Sequence, residues 1–471
     1  MKLSRTRRGG QSSLSNGFKL CFAMNNQSED FSMIEISNLR KYFTGGGDKV
    51  RLEADINFTD MDSPYSQKSL WFEIDKEHGD MLADDTYDAF VLLPLYLAMY
   101  HKQDLHVCGN ISKKLYQNIK WYIQKILCDF SPALSTVNFT VDGFNPPKPK
   151  GTLIGASISC GVDCLSTIYD HFVNETDPDY RINSLFLFNY GSCGDFGDPL
   201  TNKTFKNRLR RNSFAAKDIG LPLYYLDTNL HAITHARNMG GQKLGYFALY
   251  SCIFSLQNSI CRYYTSNGST YEEKKIFRIF NYDHDMAGFG DSYIVPLIQA
   301  DNVELIIDGC QYRRVDKVKR IADWDIVKKY LNVCVHRTSD ASNCGHCHKC
   351  LRTLLPLEIL GKLDDYSKLF NMEQYRKVVT KYKIQCLQDY GKEPFETENV
   401  DFARENNFPM PTLPKPVVKK SAVKKSAVKK SAVKKPAVKK PVVKKSAVKK
   451  SAVKKSVVPV AKNTAASLDK K

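Results

Sequence analysis

The chain has 471 residues, 42% of them hydrophobic, which allows two or three domains with sizeable cores. Its formal net charge is +19, but residues 414–471 hold 20 lysines and a single acidic residue, Asp469, whereas the remainder has 49 basic and 49 acidic side chains. A basic surface over the whole protein is therefore excluded. Any binding of nucleic acid or another polyanion is expected to reside in residues 414–471.

No stretch of the sequence predicts a membrane span. The most apolar run, residues 90–100, is well below the roughly 20 residues that cross a bilayer. The apolar run after the basic N-terminus, residues 20–24, is too short for a signal peptide. Closely spaced cysteines in a large chain favour metal binding in a reducing compartment, so we expect a cytoplasmic protein. Met24 and Met33 are alternative starts.

The sequence of the N-terminal third predicts a disordered segment followed by a small domain. Residues 1–32 are polar and are expected to be disordered. Residues 33–149 are expected to form a small α/β or α+β domain without a recognisable catalytic pattern. It has predicted strands at 50–58, 70–74, 105–108 and 137–141, and predicted helices at 85–101 and 111–128. The proline-rich run 145–151 breaks helix and strand, which predicts a domain boundary near residue 150.

Residues 150–333 are predicted to form a second α/β domain. Apolar strands alternate with amphipathic helices, and this pattern indicates an α/β fold with a doubly wound parallel sheet. Ligands of such sheets bind outside the carboxyl ends of the strands. The predicted elements are strands at 152–159, 184–190 and 221–227, with a helix after residue 162 and another at 205–218.

A six-residue turn joins the first strand of this domain to its first helix: Ser159, Cys160, Gly161, Val162, Asp163 and Cys164. Backbone N–H groups converge at such a turn, and the positive end of the helix dipole lies there, so the place suits an anion. A strand-turn-helix corner with glycine also occurs without a ligand. The six residues alone leave both interpretations open.

Four cysteines, Cys334, Cys344, Cys347 and Cys350, follow the spacing C-x9-C-x2-C-x2-C and predict a metal site. Four thiolates suit tetrahedral Zn²⁺ at a closed structural site, and Gly345 permits the tight turn between two of them. His346 or His348 could replace one cysteine as a ligand, and C-x2-C-x2-C also occurs in iron–sulfur proteins. Zinc is favoured because Cys334 completes the tetrahedron. Residues 334–400 are expected to form this zinc knuckle and C-terminal helices.

Turn and cysteines together resemble the PP-loop ATP pyrophosphatases, in particular the 7-cyano-7-deazaguanine synthase family. The family turn, Ser-Gly-Gly-x-Asp-Ser, matches at Ser159, Gly161 and Asp163, with Cys160 and Cys164 as departures. The family knuckle, Cys-Gly-x-Cys-x-x-Cys with Leu-Arg close behind, is similar to residues 344–352. The family's Asp-Tyr-Gly and Asp-Lys are similar to residues 188–191 and 316–317. The resemblance covers roughly residues 150–362.

The resemblance implies a PP-loop (HUP-like, Rossmann-like) fold that binds ATP and Mg²⁺. It implies that residues 159–164 and Tyr190 contact the nucleotide and that Asp163 and Lys317, with Arg314 nearby, act in catalysis. The implied reaction activates a carbonyl or carboxylate as an adenylate, releases pyrophosphate and transfers nitrogen to a small molecule whose identity is unknown. Arg314 and Lys317 could equally be surface charges on a helix.

Two other interpretations remain open. The domain could be a catalytically degenerate nucleotide-binding protein, since the two cysteine departures bear on phosphate binding, or a sulfur-transferring relative that uses Cys160, Cys164 or Cys193. In each case residues 414–471, a repeat of Ser/Pro-Ala/Val-Val-Lys-Lys, are expected to be extended and mobile. They could bind nucleic acid without sequence preference or serve only as a solvated tether.

Overall fold

One ten-stranded sheet runs through the protein. The computed structural model describes residues 33–59, 68–234, 241–274, 291–336 and 342–413, so the predicted disordered N-terminus and the lysine-rich repeat lie outside the described residues. The strand order is β10-β9-β6-β7-β8-β3-β2-β1-β4-β5. The strands are Met33–Thr44 (β1), Lys49–Phe58 (β2), Ser69–Asp75 (β3), Asp104–Ile111 (β4), Phe139–Phe144 (β5), Leu153–Ser157 (β6), Ser184–Asn189 (β7), Leu223–Thr228 (β8), Ile260–Ser266 (β9) and Glu304–Asp308 (β10).

Strands β1 to β5 form a mixed half of the sheet. β1, β2 and β3 pair antiparallel, whereas β4 pairs parallel with β1 and with β5. The connection from β1 to β2 is the run Gly45–Gly47, whose φ angles of 59°, 74° and 102° are all positive. Residues with a Cβ rarely adopt this conformation, so the glycines permit the reversal.

Strands β6 to β10 form a parallel half in the order β10-β9-β6-β7-β8. Counted from β6, this is the order 5-4-1-2-3, in which the chain first adds strands on one side of β6 and then on the other. The order reverses between β6 and β9. In open α/β sheets, ligands bind at the carboxyl ends of the strands at such a reversal.

A short antiparallel seam between β3 and β8 joins the two halves. Its ladder has two residue pairs, Phe72 with Thr228 and Glu73 with Asp227. The buried amide of Asn229 extends it, accepting from Trp71 N at 2.9 Å and donating to Ser69 O at 2.8 Å. Segments 33–149 and 150–333 therefore share one sheet, within a single compact unit that ends near residue 414. The proline-rich run at 145–151 lies in the connection from β5 to β6, which are far apart in the sheet.

Helices cover both faces of the parallel half. Neighbouring strand residues Tyr263 and Tyr264 belong to different hydrophobic clusters, and so do Phe186 and Leu185. Because successive side chains of a strand point to opposite faces, the two clusters lie on opposite sides of the sheet. The helices are Leu92–His101 (α1), Lys113–Asn118 (α2), Gln124–Phe130 (α3), Val162–Ile168 (α4), Pro199–Ile219 (α5), His231–Thr234 (α6), Gly241–Ser255 (α7), Asp291–Ile294 (α8), Arg314–Ile321 (α9), Asp325–Tyr330 (α10), His348–Ile359 (α11), Met372–Gln388 (α12) and Pro394–Glu405 (α13).

The predicted α/β class is confirmed, and the sheet is mostly parallel. Within residues 150–228 the predicted strands and helices correspond to β6, α4, β7, α5 and β8. The sequence did not predict β1, β9 or β10. Among the described residues, every helix is too short or too polar to cross a bilayer.

Candidate functional site

The turn Ser159–Cys164, hereafter the anion turn, lies where β6 passes into α4, beside the reversal of strand order. Gly161 is the N-cap of α4, with extended backbone angles of −80° and 166°. The first helical hydrogen bond runs from Leu165 N to Gly161 O at 3.0 Å. The amides of Val162, Asp163 and Cys164 precede that bond, as the first amides of any helix do, so they can serve an external acceptor.

Within the anion turn, Cys160 has a left-handed backbone conformation, with a φ of 57°. This conformation costs a residue other than glycine about 1–2 kcal/mol. Three hydrogen bonds oppose the cost: Cys160 Sγ donates to Asn212 Oδ1 at 3.1 Å, Asn212 Nδ2 donates to Ile158 O at 3.0 Å, and Asn332 N donates to Cys160 O at 2.7 Å. The Cys160 side chain is fully buried. Because this side chain is buried, it leaves the outer face of the turn uncovered.

Cys164 stabilises the turn from within. Its Sγ accepts from Ser159 N at 3.3 Å, lies 3.2 Å from Ser159 Oγ and donates to Gly161 O at 3.3 Å. Burial raises the pKa of the Cys160 and Cys164 thiols above the ordinary value. Nucleophilic cysteines need a lowered pKa and access to solvent, so these two environments argue against sulfur transfer. Cys193 is also buried, and its sulfur accepts from Arg208 Nη1 at 3.4 Å.

Asp163 forms the centre of a charged cluster. Arg314 Nη1 donates to Asp163 Oδ2 at 2.6 Å, and Lys317 Nζ lies 3.5 Å from Asp163 Oδ1. Burial would raise the pKa of Asp163, but the charges of Arg314 and Lys317 outweigh it and the pKa is lowered. Lys317 is 0% exposed, whereas 29% of the Asp163 side chain is exposed. Arg314 and Lys317 are thus not surface charges, and Asp163 is the most exposed of the three side chains.

The ends of β9 and β10 complete the pocket around Lys317. Its Nζ donates to Asn267 O, directly after β9, at 2.5 Å. Gly309, directly after β10, has a φ of 86°, and a Cβ there would lie 3.0 Å from Lys317 Nζ. Gly268 approaches Asp163, since a Cβ on it would lie 3.7 Å from Oδ2. Three strand ends and the start of α9 therefore meet at one point.

A buried carboxyl positions the start of α9. Glu398 Oε2 accepts from Arg314 N at 2.9 Å and from Val315 N at 3.4 Å. Burial, together with the neighbouring Glu273, raises the pKa of Glu398 to about 9. This carboxyl therefore ionises less readily than an exposed glutamate does.

Further cations surround the anion turn. Lys349 on α11 is exposed, and the charges of Arg314, Asp163, Arg352 and Arg208 act on it; loss of solvation together with Arg314 lowers its pKa. Arg211 on α5 interacts electrostatically with Cys160 and Arg208. Asp163 thus lies beside three cationic side chains, Arg314, Lys317 and Lys349, while Arg208 and Arg211 on α5 lie near Lys349 and Cys160 respectively. Such an excess of positive charge beside a helix N-terminus favours a polyanionic ligand such as a phosphate chain.

The four predicted cysteine ligands lie together, and we call residues 334–350 the knuckle. Their Sγ atoms are all within 4.8 Å of one another, with Cys334 to Cys347 and Cys344 to Cys350 both at 3.9 Å. A tetrahedral Zn²⁺ with Zn–S bonds of about 2.3 Å needs sulfurs about 3.8 Å apart. A donor set of four cysteines at this spacing is therefore compatible with zinc.

The spacing bears on the two alternative ligand sets. An iron–sulfur cluster would hold its cysteine sulfurs farther apart than a single ion does. His346 groups with His336 and Cys344 at the exposed edge of the knuckle, and its Nδ1 lies 3.0 Å from Cys344 O. Hydrogen bonding from Cys350 lowers the pKa of Cys347 below its ordinary value, which favours the thiolate form that binds a metal. A single ion bound by four thiolates fits this geometry better than a cluster does.

Position 345 requires glycine, both for its backbone conformation and for the lack of space beside it. Its φ is 77°, and a Cβ on it would lie 2.1 Å from Asn371 O. The predicted role of Gly345 in the turn between Cys344 and Cys347 agrees with this geometry.

Tyr190 follows β7, the strand next to β6, and its ring packs against the hydrophobic cluster on the α7 side of the sheet. Burial raises its pKa to about 12. By contrast, the anion turn packs with the cluster on the opposite face. Asn267, Asn332 and Lys349 also surround the turn, but the sequence did not single them out. The pair Asn267-Gly268 was detectable as a turn signal after an apolar run.

Comparison with known proteins adds no assignment: no family model, no curated protein and no solved structure matches the chain.

Proposed function

We propose that the anion turn binds the phosphates of ATP and that the protein is an AMP-forming, pyrophosphate-releasing enzyme of the PP-loop type. The observation that carries the proposal is the meeting of a helix N-terminus, Asp163 and buried Lys317 at the reversal of strand order. Helix amides and cations together recognise phosphate, and ligands bind at this position in open α/β sheets. The sequence resemblance, including the knuckle beside the turn, agrees with this proposal.

In the proposed reaction, an oxygen of the substrate's carbonyl or carboxylate attacks the α-phosphorus of ATP. The bond between the α-phosphorus and the bridging oxygen breaks, and pyrophosphate leaves with the electron pair. A nitrogen nucleophile then displaces AMP. The substrate is a small molecule whose identity the site does not define.

The chain's own groups bind and orient the phosphates. Amides of residues 162–164 donate to the leaving pyrophosphate, and Lys317 and Arg314 offset the charge that develops on it. Asp163 holds the side chains of Arg314 and Lys317 beside the turn, and this is the role that its contacts support best. Its exposed edge would also hold Mg²⁺, which when bound neutralises phosphate charge.

The product of ATP cleavage tests the proposal. We expect ATP labelled at the α-phosphate, incubated with the protein, Mg²⁺ and a cell's small-molecule extract, to yield labelled AMP and equimolar pyrophosphate. Arg314→Gln is expected to lower the rate at least 100-fold because it removes a cation from the transition state. Lys381→Ala, on the exposed side of α12, serves as the control. Formation of ADP would contradict the reaction class, and nucleotide binding without turnover would favour the catalytically degenerate alternative.

A second function concerns residues 414–471 and is favoured by the charge distribution. All the excess positive charge lies there, while the rest of the chain is neutral. We propose that this segment binds polyanions such as RNA or DNA through counterion release, without sequence preference.

Deleting the chain after Leu413 is expected to abolish RNA and DNA binding at low salt, measured by fluorescence anisotropy. Affinity of the full chain is expected to fall steeply with salt, since each lysine that meets a phosphate releases a counterion. Zinc content and ATP cleavage serve as controls, because the compact unit ends at Pro414. Salt-sensitive RNA binding by the shortened chain would contradict this and make a nucleic acid a candidate substrate.

A further inference from the structure

We propose that the knuckle is part of the anion site: a metal held by its cysteines fixes the anion turn through Asn332 and places Lys349 against the bound anion, so that anion affinity depends on metal occupancy. The inference rests on the proposed anion binding and extends it to residues that the reaction alone does not require. Two sets of contacts carry it, one behind the turn and one at its open side.

Behind the turn, the knuckle and α4 share one hydrophobic cluster. Cys160, Val162 and Leu165 pack in it with the metal-site cysteines Cys334 and Cys350. No solvent layer separates the two sites at these residues, since each of the five is at most 9% exposed. Displacement of the cysteines would therefore be transmitted to the turn through packed side chains.

A hydrogen bond links the knuckle's leading segment to the strained residue of the turn. Asn332, two residues before the ligand Cys334, donates its N–H to Cys160 O at 2.7 Å. Asn343, directly before the ligand Cys344, accepts from Cys334 N at 3.1 Å and donates to Leu331 O at 2.9 Å. The segment that binds Cys160 is thus hydrogen-bonded to the residue before Cys344 and leads directly into Cys334. Metal binding is expected to stabilise this conformation because it ties Cys334 to Cys344.

At the open side, the knuckle supplies a cation. Lys349 stands between the ligands Cys347 and Cys350 in the first turn of α11, so its position is set by the metal site. Its charged neighbours are Arg314, Asp163 and Arg208 around the anion turn, and Arg352 on its own helix. Arg314, Arg208 and Lys349 outnumber the single Asp163 carboxylate among them, so a bound anion would offset their mutual repulsion. A diphosphate, with several negative charges, matches this arrangement better than a neutral ligand does.

The test uses the full chain and inorganic pyrophosphate as the probe, with binding measured by isothermal titration calorimetry and zinc by elemental analysis. Lys349→Ala is expected to weaken pyrophosphate binding about tenfold with zinc content unchanged, since it removes one charge-assisted contact. Lys349→Arg is expected to retain most of the affinity. Lys381→Ala, the matched lysine on α12, is expected to have no effect.

Metal removal gives the second measurement. Chelation under reducing conditions is expected to lower pyrophosphate affinity at least tenfold, and added Zn²⁺ should restore it. Near-UV circular dichroism shows whether the rest of the chain stays folded after chelation. If the chain unfolds, the pyrophosphate affinities of the Lys349 variants alone test the inference. If zinc-loaded protein binds pyrophosphate but neither Lys349→Ala nor chelation weakens it, the inference is wrong while the proposed function stands. If zinc-loaded protein binds no pyrophosphate, the proposed function itself fails.

Discussion

Replacing Cys347 by serine is expected to reduce bound zinc from about one ion per chain to nearly none and to destabilise the C-terminal part of the compact unit. Cys347 lies 3.9 Å from Cys334 and belongs to the only group of four cysteines among the described residues. Structural zinc contributes about 10–16 kcal/mol of apparent binding free energy in zinc-finger peptides, so losing a ligand removes several kcal/mol. Elemental analysis and thermal unfolding measure the two effects.

Cys128→Ser provides the matched control, because Cys128 is a half-buried cysteine of α3, outside the knuckle. It is expected to keep full zinc content and nearly the original melting temperature. His346→Ala separates the alternative ligand sets and is expected to retain zinc. Iron with acid-labile sulfide in the purified protein would show that the zinc assignment is wrong.

Lys317→Met is expected to lower the free energy of unfolding by about 3–5 kcal/mol and to abolish pyrophosphate binding. Lys317 Nζ is fully buried between Asn267 O and the Asp163 carboxylate, and methionine fills a similar volume without donating a hydrogen bond. The change leaves the Asn267 carbonyl without its donor and leaves Asp163 paired with Arg314 alone. Urea-induced unfolding measures the first effect and calorimetry the second.

Lys319→Met tests whether the effect is specific, since Lys319 is exposed on the same helix. It is expected to change stability by less than about 0.5 kcal/mol. Equal losses in the two variants would mean that helix α9 tolerates no methionine, and a stable Lys317→Met protein with intact pyrophosphate binding would contradict the proposed site.

Local patterns in the sequence predicted the local parts of the molecule. The apolar runs before residues 160, 190 and 228 are short and bounded by turn residues, so strands β6, β7 and β8 could be predicted from the sequence. The metal site of the four cysteines could be predicted because ligands that are close in sequence come together with little tertiary structure. Strands β1 and β9 could not be predicted, since Lys41 and Arg262 interrupt their apolar patterns.

Long-range contacts decide the rest. A lysine three residues after an arginine on a helix is typical of a solvated face, and only the meeting of β6, β9 and β10 makes Lys317 buried. The single sheet was also unpredictable, because the pairing of β3 with β8 uses two ladder pairs and one asparagine side chain. The position of Lys349 relative to Arg314 depends on how α11 packs against α9, which the spacing of the cysteines does not specify.

The seam has a consequence for synthesis on the ribosome. Trp71 and Asn229, which hydrogen-bond across it, are 158 positions apart in the chain. At roughly 5–20 residues per second, about 8–30 s pass between the emergence of β3 and the arrival of its partner β8. During that time β1, β2 and β3 can already pair, while the outer edge of β3 has unpaired N–H and C=O groups that could pair with another nascent chain. Crowded translation of the same message therefore brings such unpaired β3 edges close together and favours misassembly.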